Sequence, residues 1–310
     1  MRGFNNGKPM LDPPLKIDEV VPLADDQVGL AVLGSPIKHS ISPQLHNAAI
    51  RELASRCPSF SNWVYHKIEV DAQNLGSALP HLAQCGYRGL NLTIPHKVEV
   101  FSKINSIHEE ARSIGAVNTL WSNGSEWQGF NSDGYGLERA LMGELNTPLK
   151  SANILILGAG GAARAAAAQA LSRGCKNIWI ANRSTARLNQ MIQALGDSFD
   201  VDCIVPFEIP NIPDAILEIE SMLIINATSL GLNVGDLSPV SLEVFPSSTK
   251  VYDMIYNPAE TLLLKQARSM GMECENGLSM LVYQAARSLE IWTKQKVSAE
   301  AMFSAARMVL

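Results

Sequence analysis

Apolar and polar positions fall in blocks that switch between two periods. Val28 to Leu33 is a short apolar run and predicts a strand. Ser42-Pro43 opens a segment reaching about Ser55, with Leu45, Ala48, Ala49 and Leu53 on one helical face. Trp63 to Val70 alternates and reads as a strand. Asp71 to Cys85 is helical, with Leu75, Leu79 and Leu82 as its stripe. Gly89 to Thr93 is a third strand, stopped by Pro95. Strands and helices alternating at these spacings predict a parallel-sheet α/β unit. Ala116–Trp121 and Trp127–Phe130 form a hairpin pattern across Ser122-Asn123-Gly124. A helix is expected from Asp133 to about Leu145, and Thr147-Pro148 reads as a joint. The second half alternates again, with strands near 153–157, 177–181, 201–206, 222–226 and 250–254. Helices fall between them, most clearly at 161–173 and 184–195. The last helix is expected from Leu278 to Lys294, with no strand after it.

One block carries chemistry as well as pattern. In Ile154-Leu155-Ile156-Leu157-Gly158-Ala159-Gly160-Gly161-Ala162-Ala163-Arg164 an apolar strand meets a glycine turn and an alanine-rich helix start. Gly158 permits the tight turn, Gly160 lets the backbone approach a pyrophosphate, and the small Ala163 lets the helix pack closely. Free N–H groups and the helix dipole there favour a phosphate. Taken without its flanks, the pattern is also that of a mere packing turn. It begins near the middle of the chain, so the preceding half must serve another purpose.

Composition narrows the partners. The 310 residues predict two domains, and 46% hydrophobic with 18% charged residues is an ordinary globular balance. The net charge of −5 argues against a general nucleic-acid or membrane-surface binder. Five scattered cysteines without C-x-x-C spacing predict reduced thiols in a cytoplasmic protein. All six histidines lie between His39 and His108 without metal-ligand spacing, so no metal is expected. Residues 1–27 are polar, acidic and dotted with proline, and read as a loosely ordered extension.

The end of the second strand of the nucleotide unit selects the cofactor. It reads Ala181-Asn182-Arg183-Ser184-Thr185-Ala186-Arg187, with no acidic residue for a ribose hydroxyl. Arg183 and Arg187, four apart, together with the Ser184 hydroxyl make a seat for the extra phosphate of NADP. The competing reading is two solvated arginines.

Three upstream segments lie at carboxyl ends of expected strands, where open α/β sheets bind ligands: 34–43, 89–97 and 129–134. Their hydroxyls, amides, one amine and one carboxylate suit a small polyhydroxylated acid. Each has a plainer reading as well. Ser42 before Pro43 is a good helix cap, Asp133 caps the helix after it, and Lys97 is a solvated lysine.

With Ile114-Gly115-Ala116-Val117-Asn118-Thr119, Asn226-Ala227-Thr228-Ser229, Tyr252-Asp253-Met254-Ile255-Tyr256-Asn257-Pro258 and Asn276–Gln284, these segments resemble, in order, the shikimate dehydrogenase family, which includes quinate/shikimate dehydrogenases. The resemblance runs from about Val28 to the C-terminus. It implies an α/β protein of two domains with a cleft between them. A substrate domain would span 28–132 with 277–310, and a Rossmann-like NADP-binding domain 133–276. It implies that Ser40 and Ser42 hold a carboxylate, and that Asn91, Thr93, Asn118, Tyr256 and Gln284 address ring hydroxyls. Lys97 and Asp133 would flank the reacting oxygen. Gly158 through Ala163, Asn182, Arg183, Ser184, Arg187, Thr228, Gly277 and Met280 would hold NADP. The implied reaction is the reversible NADP-dependent reduction of 3-dehydroshikimate to shikimate, a step toward the aromatic amino acids. A dehydrogenase that also takes quinate, with NAD or NADP, is the near alternative, and a non-catalytic NADP-binding regulator the distant one. A small-molecule substrate is the expected partner, without nucleic acid or membrane, in a monomer or a homodimer. Ser279 stands where the family usually has glycine, and Leu262 where it commonly has proline.

Overall fold

The apolar runs around Val28 and Ile154 become interior strands of two separate sheets. The computed structural model describes residues 12–124, 126–233 and 235–310, with the backbone of residues 4–5 and 8–9. The chain divides into two compact units. Residues 1–112, 116–132 and 284–310 form the first, and residues 113–115 with 133–283 form the second.

In the first unit, β1 (Phe4–Asn5) and β2 (Lys8–Pro9) pair antiparallel. Its main sheet comprises β3 (Leu15–Lys16), β4 (Val28–Gly34), β5 (Trp63–Glu69), β6 (Tyr87–Leu92), β7 (Ser106–Ile107), β8 (Thr119–Ser122) and β9 (Trp127–Phe130). The strand order is β3-β5-β4-β6-β8-β9-β7. The four strands from β3 to β6 are parallel, and the expected hairpin β8–β9 pairs antiparallel, Thr119 opposite Phe130. Helix α1 (Ser42–Arg56) buries Leu45, Ala49, Ile50 and Leu53, the face its spacing predicts. Helix α2 (Leu75–Gln84) buries Leu75, Ala78, Leu79 and Leu82 against the sheet core. The short α3 (His96–Glu99) and α4 (Glu109–Ile114) follow; the unit boundary falls inside α4.

The second unit starts with α5 (Asp133–Glu144). Its sheet comprises β10 (Asn153–Leu157), β11 (Asn177–Asn182), β12 (Ile204–Glu208), β13 (Leu223–Asn226), β14 (Lys250–Asp253) and β15 (Cys274–Asn276), all parallel, in the order β12-β11-β10-β13-β14-β15. Ile154 to Leu157 are fully buried, as expected of a strand covered on both faces. Helix α6 (Gly161–Ser172) buries six alanines from Ala163 to Ala170, small enough for close helix packing. Helices α7 (Thr185–Gly196), α8 (Asp214–Leu217) and α9 (Leu262–Ser269) complete the layers. Helix α10 (Leu278–Thr293) belongs to the second unit as far as Tyr283 and to the first from Gln284.

Both units are α/β, as the alternation predicts. Three expectations fail. The helix ending near Lys294 is not the last, because α11 (Ala299–Val309) follows and buries Met302, Ala305 and Ala306. The strand expected at 201–206 lies at Ile204–Glu208, since Val201 to Cys203 form the turn that leads into it. Residues 12–27 are not a loose extension. Leu15 and Lys16 pair with Ile68 and Glu69 of β5, Lys16 forms an ion pair with Glu69, and Val20 sits 5% exposed in the sheet core. Ile17 and Leu23 pack on the same core, and Leu23 N–H donates to the Cys85 carbonyl at 3.0 Å, so the stretch is ordered by the sheet edge and core it covers. Among the described residues, no helix is long and apolar enough to cross a membrane.

Candidate active site

The loop after β4 presents the two serines. The Ser40 hydroxyl donates to the Ser42 hydroxyl at 3.2 Å and accepts from the Ser42 backbone N–H at 3.3 Å. Ser42 is not the helix cap. Ile41 holds that position without a side-chain cap, and Ser42 is the first helical residue. Its hydroxyl is therefore not committed to closing the helix end.

The loop after β6 carries Thr93 and Lys97. Thr93 N–H donates to the Leu33 carbonyl at 3.0 Å, and His96 N–H to the Thr93 carbonyl at 2.8 Å. The buried His96 ring bonds the Val70 carbonyl through Nε2 at 2.7 Å, so Nε2 carries the proton. Burial lowers its basicity. Val117 N–H donates to the Lys97 carbonyl at 2.8 Å. These bonds fix the backbone under Lys97, whose side chain is half-buried at the start of α3.

Asn91, Asn118 and Gln284, distant in sequence, join one polar network. Asn91 Oδ1 accepts from the Tyr65 hydroxyl at 2.8 Å. Its Nδ2 donates to Ser288 Oγ at 2.9 Å, Thr119 Oγ1 at 3.2 Å and the Asn118 carbonyl at 3.3 Å. Asn118 Nδ2 donates to Ser132 Oγ at 3.0 Å and Gln284 Oε1 at 3.3 Å, while Asn118 Oδ1 accepts from Ser132 N–H at 2.8 Å. Gln284, Ser288 and Trp292 recur every four residues on α10, which places all three on one helix face. Trp292 Nε1 donates to the Leu120 carbonyl at 2.9 Å and locks that face to β8. Below the network, His46 stacks on Tyr65 at 4.0 Å, fully buried, and desolvation lowers its pKa to about 3. Burial also pushes the Tyr65 hydroxyl well above its usual range.

The second unit holds the nucleotide candidates. Gly158 has φ +112°, and a Cβ there would meet the Ala227 carbonyl oxygen at 3.0 Å. A Cβ on Gly160 would meet nothing within 4 Å, so the turn opens onto free space. Ala159, Gly161, Ala162 and Ala163 continue into α6, which begins at Gly161. Thr228 donates from N–H and Oγ1 to Asn226 Oδ1 at 3.0 and 2.7 Å, which holds the loop after β13 beside the glycine turn. Asn182 Nδ2 donates to the Ser184 carbonyl at 3.1 Å. Ser184 caps α7, accepting from Arg187 N–H. Arg183 and Arg187 are exposed, and among the described residues neither guanidinium is in an ion pair. A cradle open at Gly160 and two uncommitted guanidinium groups fit a phosphorylated dinucleotide.

Gly277 admits no side chain, because a Cβ would stand 2.1 Å from the Met254 carbonyl oxygen. Met280 follows with 7% exposure, its N–H donating to the Tyr252 hydroxyl at 3.2 Å. The family-atypical Ser279 is buried, its hydroxyl 3.2 Å from that same Tyr252 hydroxyl. Tyr256 is half-buried after β14. Asp133 is 3% exposed at the first position of α5. Lys97 belongs to the first unit and Asp133 to the second.

Sequence reading missed Tyr65, Thr119, Ser132 and Ser288, the partners that saturate Asn91 and Asn118. It also missed Lys67, 5% exposed in β5, and Arg164, whose Nε is buried with no partner among the described residues.

Residues 32–120 match the shikimate dehydrogenase substrate binding domain, 141–230 match shikimate / quinate 5-dehydrogenase, and 277–307 match the shikimate 5'-dehydrogenase C-terminal domain. The chain is 37% identical over 266 residues to a shikimate dehydrogenase (NADP(+)) of Geobacter metallireducens, covering 85% of this chain and 90% of that protein. It is 36% identical to the Bacillus subtilis counterpart of the same name, covering 88% and 94%. The crystal structure of shikimate 5-dehydrogenase from Thermus thermophilus, in complex with NADP(H) and shikimate, superposes with a TM-score of 0.79 at 31% identity, covering 92% of this chain and all of that one.

Proposed function

The chain belongs to the shikimate dehydrogenase family, and from that premise we propose that it catalyses the reversible NADP-dependent reduction of 3-dehydroshikimate to shikimate. The observation that carries this reading is the polar network joining the buried Asn91 and Asn118 to the half-buried Gln284, residues brought together from three parts of the chain. A ligand rich in hydroxyls needs amides whose orientation is fixed before it arrives.

We assign substrate binding to 28–132 with 277–310 and NADP binding to 133–276. Within the first group, Ser40 and Ser42 hold the carboxylate, and Asn91, Thr93, Asn118 and Gln284 address the ring hydroxyls, with Tyr256 contributed from the second group. NADP, when bound, supplies or takes up the hydride. Gly158 to Ala163, with Thr228, Gly277 and Met280, shape the backbone seat for it. Asn182, Arg183, Ser184 and Arg187 receive its ribose phosphate. The Lys97 ammonium gives a proton to the carbonyl oxygen as negative charge builds there, and in the reverse direction neutral Lys97 accepts it from the alcohol. Asp133 is the carboxylate assigned to the same oxygen. We place the enzyme in the cytoplasm, in keeping with five cysteines that are all free thiols.

The test is NADP reduction followed by absorbance with the purified chain. Shikimate supports it and quinate is the weaker substrate. Equal kcat/KM for the two acids replaces this reading with a quinate/shikimate dehydrogenase, and no turnover with either refutes both.

A further inference from the structure

We propose that Lys67 determines specificity for an acid: its buried ammonium, clamped under the loop that carries Ser40 and Ser42, supplies the positive charge against which the substrate carboxylate is read. The inference rests on the assignment of the seryl pair as the carboxylate seat.

Two hydroxyls alone are neutral donors. They fit the shape of a carboxylate but do little to distinguish it from a carboxamide. Lys67 lies on β5 opposite Val32 of β4, and its side chain reaches the loop that follows β4. Nζ donates to the Lys38 carbonyl at 2.8 Å and to the Ser40 carbonyl at 3.4 Å. Ser40 is thus shared. Its carbonyl accepts from the ammonium and its hydroxyl joins Ser42, so charge and seat are one residue apart.

The protein surrounds this cation with neutral partners. Lys67 is 5% exposed, and among the described residues its ammonium is in no ion pair. Burial lowers its basicity, and the carboxylate whose field counters that is Asp12, which is itself exposed. Buried lysines are normally paired with an anion, because a lone charge is costly out of water. Clamping two carbonyls does not require a charge; a neutral amide donor does the same at lower cost. An anion arriving at Ser40 and Ser42 completes the pairing that the polypeptide leaves open.

The experiment uses the full chain and two probes of one shape, 3,4-dihydroxybenzoate and its carboxamide, with binding measured by calorimetry alongside shikimate kinetics. Lys67→Met is expected to raise the shikimate KM and weaken the acid by about tenfold, the scale of one partly screened charge a few ångströms away, with the loss falling on KM rather than kcat. Amide binding stays as in the wild type, and Lys67→Arg recovers the acid. Equal weakening of acid and amide overturns the proposal, because it marks a loop clamp only. If Lys67→Met does not accumulate as folded protein, the wild type carries the test: the acid binds at least about tenfold tighter than the amide, and equal affinities overturn the proposal. Acid-selective binding without shikimate turnover leaves Lys67 in place and refutes the catalytic reading. No binding of the acid overturns both.

Discussion

The two units hold their proposed ligand groups with different materials. The first gathers buried, mutually bonded side chains: Asn91, Asn118, Thr119, Ser132 and Ser288 are each at most 6% exposed. The second relies on backbone turns at Gly158 and Gly277 and on arginines standing in solvent. In the first, the amides proposed to meet ring hydroxyls also satisfy their buried neighbours. In the second, the arginines proposed to choose the cofactor are exposed and carry little of the fold. Function and stability are therefore coupled in one unit and separable in the other.

The largest expected effect tests the coupling at its margin. Lys97 lies in the first unit, where Val117 N–H donates to its backbone carbonyl at 2.8 Å. Lys97→Ala is expected to lower kcat by about a hundredfold or more, the scale for losing a positioned acid or base. Steady-state turnover at saturating substrates measures it, and a folded variant with near wild-type kcat removes Lys97 from the mechanism.

Separability is tested in the second unit. Replacing both Arg183 and Arg187 with alanine is expected to lower the NADP/NAD ratio of kcat/KM by about ten- to a hundredfold, since charge-assisted bonds contribute roughly 1.5–3 kcal/mol each. The melting temperature stays as in the wild type, because both side chains are exposed and in no ion pair among the described residues. An unchanged ratio means that the phosphate seat lies elsewhere.

Coupling is tested by the smallest change the first unit allows. Ser288→Ala removes one partner each from Asn91 Nδ2 at 2.9 Å, Thr119 Oγ1 at 2.8 Å and Ser132 Oγ at 3.1 Å, all of which keep bonds to Asn118. A lost intramolecular hydrogen bond costs about 0.5–1.5 kcal/mol, and each kcal/mol lowers the melting temperature by roughly 2–4 °C in a large domain. The shikimate KM should rise in the same variant. A rise in KM at unchanged melting temperature would show that the first unit separates the two functions as the second does.

The same contrast explains what the sequence reveals. The glycine turn, the arginine pair and the buried β10 run are local features, written in consecutive residues, and they are found where periodicity puts them. The hydroxyls that saturate Asn91 and Asn118 come from β5, β8, the loop before α5 and α10. Each is a hydroxyl on an otherwise apolar face, with no spacing that sets it apart from a surface serine or threonine. Lys67 sits in an alternating strand where a charged residue reads as solvent-facing; only the loop folded over it shows otherwise. The two-residue strand β3 carries no period at all, and its pairing is decided by the open edge of β5. Ser42-Pro43 matches a cap signal, yet the helix is capped one residue earlier, because the Ser40 hydroxyl has already engaged the Ser42 N–H.

The finest test of the coupling is the pH dependence of stability carried by His46. Its ring is fully buried on Tyr65, and neither ring nitrogen has a hydrogen-bond partner among the described residues. Desolvation lowers its pKa to about 3, against an ordinary value of 6.5. The unfolded chain therefore binds a proton that the folded chain refuses over that interval. The stability conferred by neutral His46 is complete above pH 6.5 and is lost as pH falls toward 3, at about 1.4 kcal/mol per pH unit. Burial lowers His66 and His96 as well, so the wild-type slope sums several groups. His46→Phe keeps the stacking surface and removes the one titration. Its melting temperature should fall less steeply than that of the wild type between about pH 6 and pH 4, and the two curves should meet near neutrality. Parallel curves would mean that the ring takes up its proton without opening the floor beneath Asn91, and that this floor is looser than the network above it.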